Sequence, residues 1–251
     1  MGMLDGKVAI VTGSTSGIGR GIAERFAGEG ARLVINSVRS VEAGRELAAG
    51  LPDAIYVQAD VSSDEQCRSL VEGAMGRWGR LDIVVNNAGT AVMLDHGKLD
   101  EHTDDVWRQM IDVNLLGPWY LSRAAVAPMR AAGGGSIVNI SSLAGVHPTG
   151  SGSCIGYGVA KAGLNHLTVL LANVLGQDNI RVNSVAVGPI ETPMWGLAAD
   201  EIRARTAALT VLGRPGTPAE VANCCLMFAA EGFATAQVLV VDGGMRFRVP
   251  R

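Results

Sequence analysis

The sequence predicts an α/β fold in which helices cover both faces of a doubly wound parallel sheet of about seven strands. Short runs rich in Val, Ile and Leu recur along the chain, and most lack the polar alternation of half-exposed strands. Helical patterns separate these runs, which is typical of parallel strands joined by right-handed crossovers. The strand-like runs are Val8–Val11, Arg32–Asn36, Ile55–Ala59, Leu81–Val85, Ser136–Ile140, Arg181–Val187 and Gln237–Val241.

The segments between these runs carry apolar residues at helical spacing. Ile18, Ile22 and Phe26 recur every four residues after the first run, and residues 164–175 carry a second apolar stripe. Residues 217–220 combine a Thr cap, a Pro at the first helical position and a Glu that can reach back to the cap. These patterns predict helices after the first, fifth and sixth strands.

Length and composition favour one folded domain. The chain has 251 residues, of which 48% are hydrophobic and 18% are charged, and no linker, repeat or low-complexity tract divides it. We therefore expect a single domain over residues 1–251, with a substrate loop near residues 190–215 included. The formal net charge is −3 and no basic cluster occurs, so neither nucleic acid nor a membrane is an expected partner.

Cysteine and histidine usage predicts a cytoplasmic protein without a metal site. Neither residue type recurs at metal-ligand spacing. Unpaired thiols suit a reducing compartment, the first residues lack the pattern of a secretory leader, and no apolar run is long enough to span a membrane. The residues concerned are Cys67, Cys154, Cys224, Cys225, His96, His102, His147 and His166.

A glycine-rich turn follows the first strand-like run and opens the first helix. It spans Thr12 to Gly19 and is wider than the common G-x-G-x-x-G spacing. Gly13 permits a tight turn, Gly17 lets the backbone approach a pyrophosphate, and Gly19 lets the helix pack closely on the strand. Glycines at such turns can be purely structural. Their place after the first strand favours a dinucleotide site, because the helix N-terminus offers free N–H groups to phosphates.

Tyr157 and Lys161 lie four residues apart in a helical segment and therefore share one face. A nearby ammonium favours the phenolate and lowers the pKa of the tyrosine, which suits proton transfer at an alcohol oxygen. Taken alone, the pair has a common alternative, since Tyr and Lys often stand at this spacing on helix surfaces.

Further motifs follow in a fixed order along the chain. They are Asp60-Val61, Asn86-Asn87-Ala88-Gly89, Asn114, Ser141-Ser142 and Asp242-Gly243-Gly244. With the glycine turn and the Tyr157–Lys161 pair, this order resembles the short-chain dehydrogenase/reductase family in its compact single-domain branch, over nearly the whole chain. The resemblance implies a Rossmann-like fold and an NAD(P)(H)-dependent oxidoreductase that moves a hydride between nicotinamide and a secondary alcohol or ketone.

The resemblance also implies a role for individual residues. Tyr157 would be the general acid or base, and Lys161 would bind the nicotinamide ribose and depress the pKa of Tyr157. Ser142 would hydrogen-bond the substrate oxygen, and Asn114 would hold a water in a proton relay. The expected cofactor contacts are Thr12, Gly13, Ser14, Ser16, Gly17, Ile18, Gly19, Ser37, Arg39, Asp60, Val61, Asn87, Ala88, Gly89, Tyr157, Lys161, Pro189, Ile190 and Thr192.

The end of the second strand favours NADP(H) over NAD(H). An acidic residue there would bind the adenosine ribose and repel a 2′-phosphate, but Ser37 occupies the position. Arg39, two residues on, could pair with such a phosphate. The basic residue that some NADP-dependent relatives carry inside the glycine turn is missing, so NAD(H) stays open.

Four features depart from the family pattern. Ser142 and Tyr157 are 15 residues apart, slightly more than usual, and the stretch 90–103 is also long. Val187 stands where proline is common, and Ala236 where glycine is usual. These departures leave the substrate open among 3-oxoacyl chains, cyclic ketones and sterol-like molecules. Residues expected at an apolar substrate wall, or equally in the core, are Met93, Met194, Trp195 and Leu197.

Two alternative functions have weaker sequence support. A non-catalytic dinucleotide sensor often lacks the serine, tyrosine or lysine, whereas this chain has all three. A sugar-nucleotide epimerase or dehydratase of related fold needs a further substrate domain. The resemblance also implies a homotetramer formed through the helix of Tyr157 and the helix that starts near Thr217. Both helices carry apolar runs that suit such burial, but packing into the core explains these runs too.

Overall fold

A seven-stranded parallel sheet forms the centre of the computed structural model, which describes residues 2–148, 154–193 and 199–247. The strands are β1 (Val8–Val11), β2 (Arg32–Ser37), β3 (Ala54–Gln58), β4 (Ile83–Asn86), β5 (Gly135–Ser142), β6 (Ile180–Val187) and β7 (Val238–Val241). Their order is β3-β2-β1-β4-β5-β6-β7, and every pair is parallel. The predicted doubly wound, Rossmann-like sheet is therefore confirmed. The order reverses between β1 and β4, which opens a crevice at the carboxyl ends of these strands.

Helices cover the sheet on both sides. The α-helices are α1 (Gly17–Gly28), α2 (Val41–Gly50), α3 (Asp64–Trp78), α4 (Asp104–Ile111), α5 (Gly117–Ala131), α6 (Ile155–Leu175), α7 (Ala199–Leu209) and α8 (Pro218–Ala230). A π-helical turn, Asp112–Leu116, joins α4 to α5. Within the described ranges, no helix combines the length and the apolar character that a membrane crossing requires.

Two hydrophobic cores, one on each face of the sheet, explain the unbroken apolar strands. Ala9 and Val11 of β1 pack into a core with α1 and α8, while Val8 and Ile10 pack into a core with α3, α5 and α6. All four residues of β1 are buried. A strand covered on both faces gains from apolar side chains at every position, which removes the alternation seen in half-exposed strands.

A chain of buried polar side chains crosses the second core. The Asn86 amide donates to Asn139 Oδ1 (2.8 Å) and Ser122 Oγ (3.2 Å), and the Asn139 amide donates to Thr168 Oγ1 (2.9 Å). All four residues are at most 3% exposed. Buried polar groups are tolerated when they are paired, so this network ties α5 and α6 to the two central strands β4 and β5 in one register.

Both ends of α8 are held by side chains. The predicted capping box is present, since the Thr217 and Glu220 side chains each accept the backbone N–H of the other residue. At the other end, the Arg181 guanidinium donates to the carbonyl oxygens of Phe228 and Ala229. These oxygens lack partners within the helix, and a cation satisfies them while it complements the negative end of the helix dipole.

Ala236 adopts a left-handed backbone conformation, with φ of 59°. Its N–H donates to Val182 O (2.8 Å), which fixes the chain just before β7. A residue with a Cβ loses about 1–2 kcal/mol in this region, whereas glycine does not. The alanine at this usual glycine position is therefore a site of backbone strain.

We expect Ala236→Gly to raise the free energy of unfolding by about 0.5–1 kcal/mol, because relief of strain exceeds the roughly 0.4–1 kcal/mol that the more flexible glycine costs through the unfolded chain. Urea denaturation at fixed protein concentration measures the change. Ala132→Gly is the matched control: φ of Ala132 is −79°, so this variant should lose stability instead. Equal losses in both variants would show that position 236 is unstrained.

Candidate active site

A cavity of about 1070 Å³ opens at the crevice predicted by the strand order. The glycine turn, the ends of β2, β3 and β4, and the first part of α6 surround it. It also brings together residues that lie far apart in the chain. Those among the expected site residues that line it are Gly13, Ser16, Gly17, Ile18, Gly19, Ser37, Arg39, Asp60, Val61, Asn87, Ala88, Gly89, Tyr157, Lys161, Pro189, Ile190 and Thr192.

Four expected site residues lie beside the cavity without lining it: Thr12, Ser14, Asn114 and Ser142. Thr12 and Ser14 are buried and bond to neighbouring backbone. Thr12 Oγ1 accepts from the N–H groups of Asn87 and Ala88, both at 3.0 Å. These contacts join the glycine turn to the segment after β4, so Thr12 shapes the cavity from behind.

The glycine turn fits a pyrophosphate group. Gly13 and Gly17 have φ values of 60° and 53°, which a residue with a side chain adopts only at a cost. A Cβ on Gly19 would lie 2.2 Å from Gly13 O, so only glycine allows α1 to start this close to β1. The Ser16 side chain does not cap α1. Gly17, Ile18 and Gly19 line the cavity, so the uncapped N–H groups of this first turn are available to an anion there.

Asn36 is a positioning residue that the sequence did not reveal. Its Oδ1 accepts from Gly13 N (3.2 Å), and its amide donates to Val57 O (3.2 Å) and Ala59 O (3.1 Å). Its backbone N–H donates to Ser14 Oγ (2.9 Å), and its carbonyl accepts from Ser14 N (2.9 Å). An amide inside an otherwise apolar strand was the available signal, because buried polar groups need several partners.

Arg39 is an exposed cation at the cavity, near the ends of β2 and β3. The Ser37 hydroxyl lies 3.0 Å from Tyr56 Oη and is buried, so it is already engaged. Asp60 Oδ1 accepts from the backbone N–H and the hydroxyl of Ser62 (2.9 and 2.7 Å), which closes a turn after β3. The Arg39 side chain is exposed and makes no hydrogen bond or ion pair within the described ranges.

Tyr157 and Lys161 lie on adjacent turns of α6 and both line the cavity. Lys161 Nζ is 5.7 Å from the centre of the Tyr157 ring and donates to Ile140 O of β5 at 2.8 Å. A Cβ on Gly89 would lie 3.6 Å from Lys161 Nζ and 2.9 Å from Asn114 Oδ1, so the glycine after β4 gives both polar groups room.

From the sequence we expect Lys161 to lower the pKa of Tyr157, but in the structure the pKa of Tyr157 is raised. Burial raises the pKa of the phenol, and hydrogen bonding with Ser142 opposes this only in part. Burial also lowers the pKa of Lys161 to about 8. The Lys161 ammonium does not depress the pKa of Tyr157 because its Nζ is directed to the Ile140 carbonyl and desolvation dominates both groups.

Asn114 and Ser142 are held by their own neighbours. Asn114 lies in the π-helical turn between α4 and α5, where its Oδ1 accepts from Thr90 N (3.2 Å) and its amide donates to Thr90 O (2.9 Å). Ser142 Oγ accepts from Ala144 N (3.2 Å) and hydrogen-bonds Tyr157. The Asn114 side chain therefore fixes the segment after β4 beside Lys161.

The segment after β6 closes the other side of the cavity. Ile190 forms a parallel bridge with Gly216, and the Thr192 methyl group would lie 3.4 Å from a Cβ placed on Gly17. Thr192 thus lies next to the glycine turn, on the side where the strand order predicts a bound dinucleotide. Of the expected substrate wall, Met93 is exposed, and Met194, Trp195 and Leu197 lie outside the described residues.

The remaining thiol and imidazole groups do not assemble into a further site. Cys154 is buried at the start of α6 and does not line the cavity, and His147 is exposed with Nδ1 near Pro148 O (2.9 Å). Within the ranges that the structure describes, no group of three or more His, Cys, Asp or Glu side chains could hold a metal ion.

Known proteins are similar to this chain over nearly its full length. A sequence model of the enoyl-(acyl carrier protein) reductase family matches residues 13–246. The protein assigned as ketoacyl reductase 2 of the granaticin polyketide synthase in Streptomyces violaceoruber is 46% identical, over 94% of this chain and 95% of that protein. The 3-alpha-(or 20-beta)-hydroxysteroid dehydrogenase of Mycobacterium tuberculosis is 38% identical, over 97% and 90%.

A solved structure agrees with these sequence relatives. The crystal structure of a short-chain type dehydrogenase/reductase from Mycobacterium marinum superimposes with a TM-score of 0.90 at 30% identity, covering 98% of this chain and 97% of that one. The predicted resemblance is confirmed. The chain belongs to the short-chain dehydrogenase/reductase family, whose members are NAD(P)-dependent oxidoreductases.

Proposed function

We propose that this chain is a ketoreductase in which Tyr157 gives a proton to the oxygen of a ketone while the carbonyl carbon accepts a hydride. One observation carries the proposal: Tyr157 and Lys161 line the same cavity as the glycine turn that fits a dinucleotide. The non-catalytic sensor has no comparable support, because Ser142, Tyr157 and Lys161 are all present. We further propose that the whole chain acts as one domain and that it works in the cytoplasm.

The dinucleotide, when bound, supplies the hydride. Gly13, Gly17 and the first turn of α1 would hold its phosphates, and Lys161 would hold the ribose next to the nicotinamide. Ser142 would donate a hydrogen bond to the ketone oxygen, where negative charge develops. Because burial raises the pKa of Tyr157, the phenol stays protonated at neutral pH. This protonated form is the one that can donate a proton to a ketone oxygen.

Two of the named relatives suggest the substrate class. We propose a 3-oxoacyl substrate of the polyketide type, in keeping with the ketoacyl reductase that is 46% identical to this chain. A ring ketone is the second candidate, supported by the hydroxysteroid dehydrogenase at 38% identity. The two classes share one reacting group, a ketone flanked by carbon, and the same proton donor serves both.

Replacement of Tyr157 by Phe tests the assigned proton donor. We expect kcat with ethyl acetoacetate or cyclohexanone to fall by about 10²–10⁴-fold, because the variant has no proton to give. The Kd of NADPH, measured by fluorescence titration, should stay within about twofold, since the ring itself remains. Tyr120→Phe, in α5 outside the cavity, is the matched control. Substantial turnover by Tyr157→Phe would refute the role.

We propose NADP(H) as the preferred cofactor. Arg39 lines the cavity next to the ends of β2 and β3, and its exposed side chain makes no hydrogen bond or ion pair within the described part of the chain. The Asp60 carboxylate closes its own turn with Ser62, so the guanidinium could pair with a 2′-phosphate there.

We expect Arg39→Ala to lower kcat/KM for NADPH by about tenfold or more and to leave kcat/KM for NADH within about twofold, since only NADPH carries the phosphate. Steady-state kinetics with both cofactors measures the difference. Arg45→Ala removes another exposed arginine, which pairs with Glu42 on α2, and should alter neither value. A wild-type preference for NADH would contradict the proposal.

We also propose a homotetramer, formed in part through the outer face of α6. Leu170 is 50% exposed and Val174 is 70% exposed on that face, which is unusual for residues of this size. Met227 of α8 is also exposed.

Sedimentation equilibrium should give about four times the 26.0 kDa mass of one chain. Val174→Glu should dissociate this assembly, because it places a charge in the proposed contact. Val211→Glu, at an exposed position after α7, should not change the mass. A monomeric wild-type protein would remove the proposal.

A further inference from the structure

The position of Tyr157 depends on how α6 begins. The helix starts at Ile155, so the reacting phenol lies in its first turn. The N-cap residue, Cys154, has extended backbone and no side-chain bond to the helix. The first N–H groups of a helix have no partner within it, and they must be satisfied from elsewhere when they are not exposed to water.

The segment before α4 supplies these partners. Val92 O accepts from Cys154 N at 2.8 Å, and His102 Nδ1 accepts from Ile155 N at 3.4 Å. Two consecutive N–H groups at the start of α6 are therefore bonded to one loop, the same stretch that is long by family standards. The imidazole acts as the cap that Cys154 does not provide.

Packing holds the same turn from the side. A Cβ on Gly156 would lie 3.4 Å from the Trp107 ring and 3.5 Å from Met110 Cβ, so α4 contacts the backbone of the residue before Tyr157. The loop that contains His102 leads directly into α4, and Thr103 Oγ1 caps that helix by accepting from Val106 N. The loop that contains His102 and helix α4 thus both hold the first turn of α6.

The hydrogen bonds of His102 require one tautomer. Nδ1 accepts from Ile155 N, so it carries no proton, and Nε2 then carries the proton and donates to Asp95 O at 3.1 Å. The ring links the loop backbone to the helix start through its two nitrogen atoms. The His96 ring, in the same loop, lies 6.3 Å away, centre to centre.

We propose that His102 is a positioning residue for the reaction: its Nδ1 caps α6 at Ile155 and thereby sets where Tyr157 presents its hydroxyl. The inference rests on the proposed ketoreductase function. A proton donor acts only within hydrogen-bond reach of the ketone oxygen, and displacement of its helix turn lowers the rate of the chemical step. His102 itself does not line the cavity, so it acts only through α6.

Three substitutions of His102 distinguish the role of Nδ1 as a hydrogen-bond acceptor from the role of the side chain's volume. The Oδ1 of asparagine lies as many bonds from Cβ as Nδ1, so His102→Asn keeps the cap on Ile155. Glutamine instead matches Nε2, so His102→Gln keeps a donor for Asp95 O and loses the cap. His102→Ala loses both. His96→Ala is the matched control, because it removes the neighbouring imidazole of the same loop.

We expect His102→Ala and His102→Gln to lower the single-turnover rate with ethyl acetoacetate about tenfold, because Tyr157 is displaced from its place beside the ketone oxygen, with the NADPH Kd unchanged. His102→Asn and His96→Ala should stay within about twofold of wild type. Hydrogen–deuterium exchange of the peptide that begins at Cys154 should accelerate in the Ala and Gln variants alone. This second measurement needs no substrate.

Equal rates in all three His102 variants, or an Asn variant as slow as the Ala variant, would overturn the inference. Tyr157→Phe in the same assay separates this failure from failure of the proposed function. If Tyr157→Phe is inactive while every His102 variant is normal, the proton donor stands and only the positioning role is lost.

Discussion

The candidate site depends on the way helix α6 is fixed to strand β5. Three consecutive residues of that strand, Asn139, Ile140 and Ser141, bond to Thr168 Oγ1, Lys161 Nζ and Lys161 O respectively. All of these polar groups are buried, so each would lose its partner if the helix shifted along the strand. The helix therefore has one register on the sheet, and the phenol and the ammonium group take their places from it.

Most of the fold could be predicted because its signals are local. Val8, Ala9, Ile10 and Val11 are each buried on one face or the other of the sheet, and this produces a run without alternation that can be read from the sequence. The Tyr157–Lys161 pair could be predicted for the same reason, since helical spacing alone puts both on one face. Asn36 and His102 could not, because their partners, Gly13 and Ile155, lie 23 and 53 residues away.

The pKa shift of Tyr157 and the effects of the departures from the family pattern could not be predicted from the sequence either. The direction of the pKa shift of Tyr157 depends on desolvation and on where the Lys161 ammonium points, and neither follows from a four-residue spacing. Val187, at a position where proline is common, is the last residue of β6 and pairs with Val241. Nothing in the described structure explains the greater spacing between Ser142 and Tyr157.

The residues that follow Asn36 can be changed without loss of the glycine turn, whereas Asn36 itself cannot. Its side chain bonds to both the glycine turn and the end of β3, whereas Val38 and Arg39, which follow Ser37, are exposed and line the cavity. Exchange of these two exposed residues would alter the cavity beside the ends of β2 and β3 and leave the bonds to the glycine turn intact. Exchange of Asn36 itself would remove the hydrogen bonds that join the glycine turn to the end of β3.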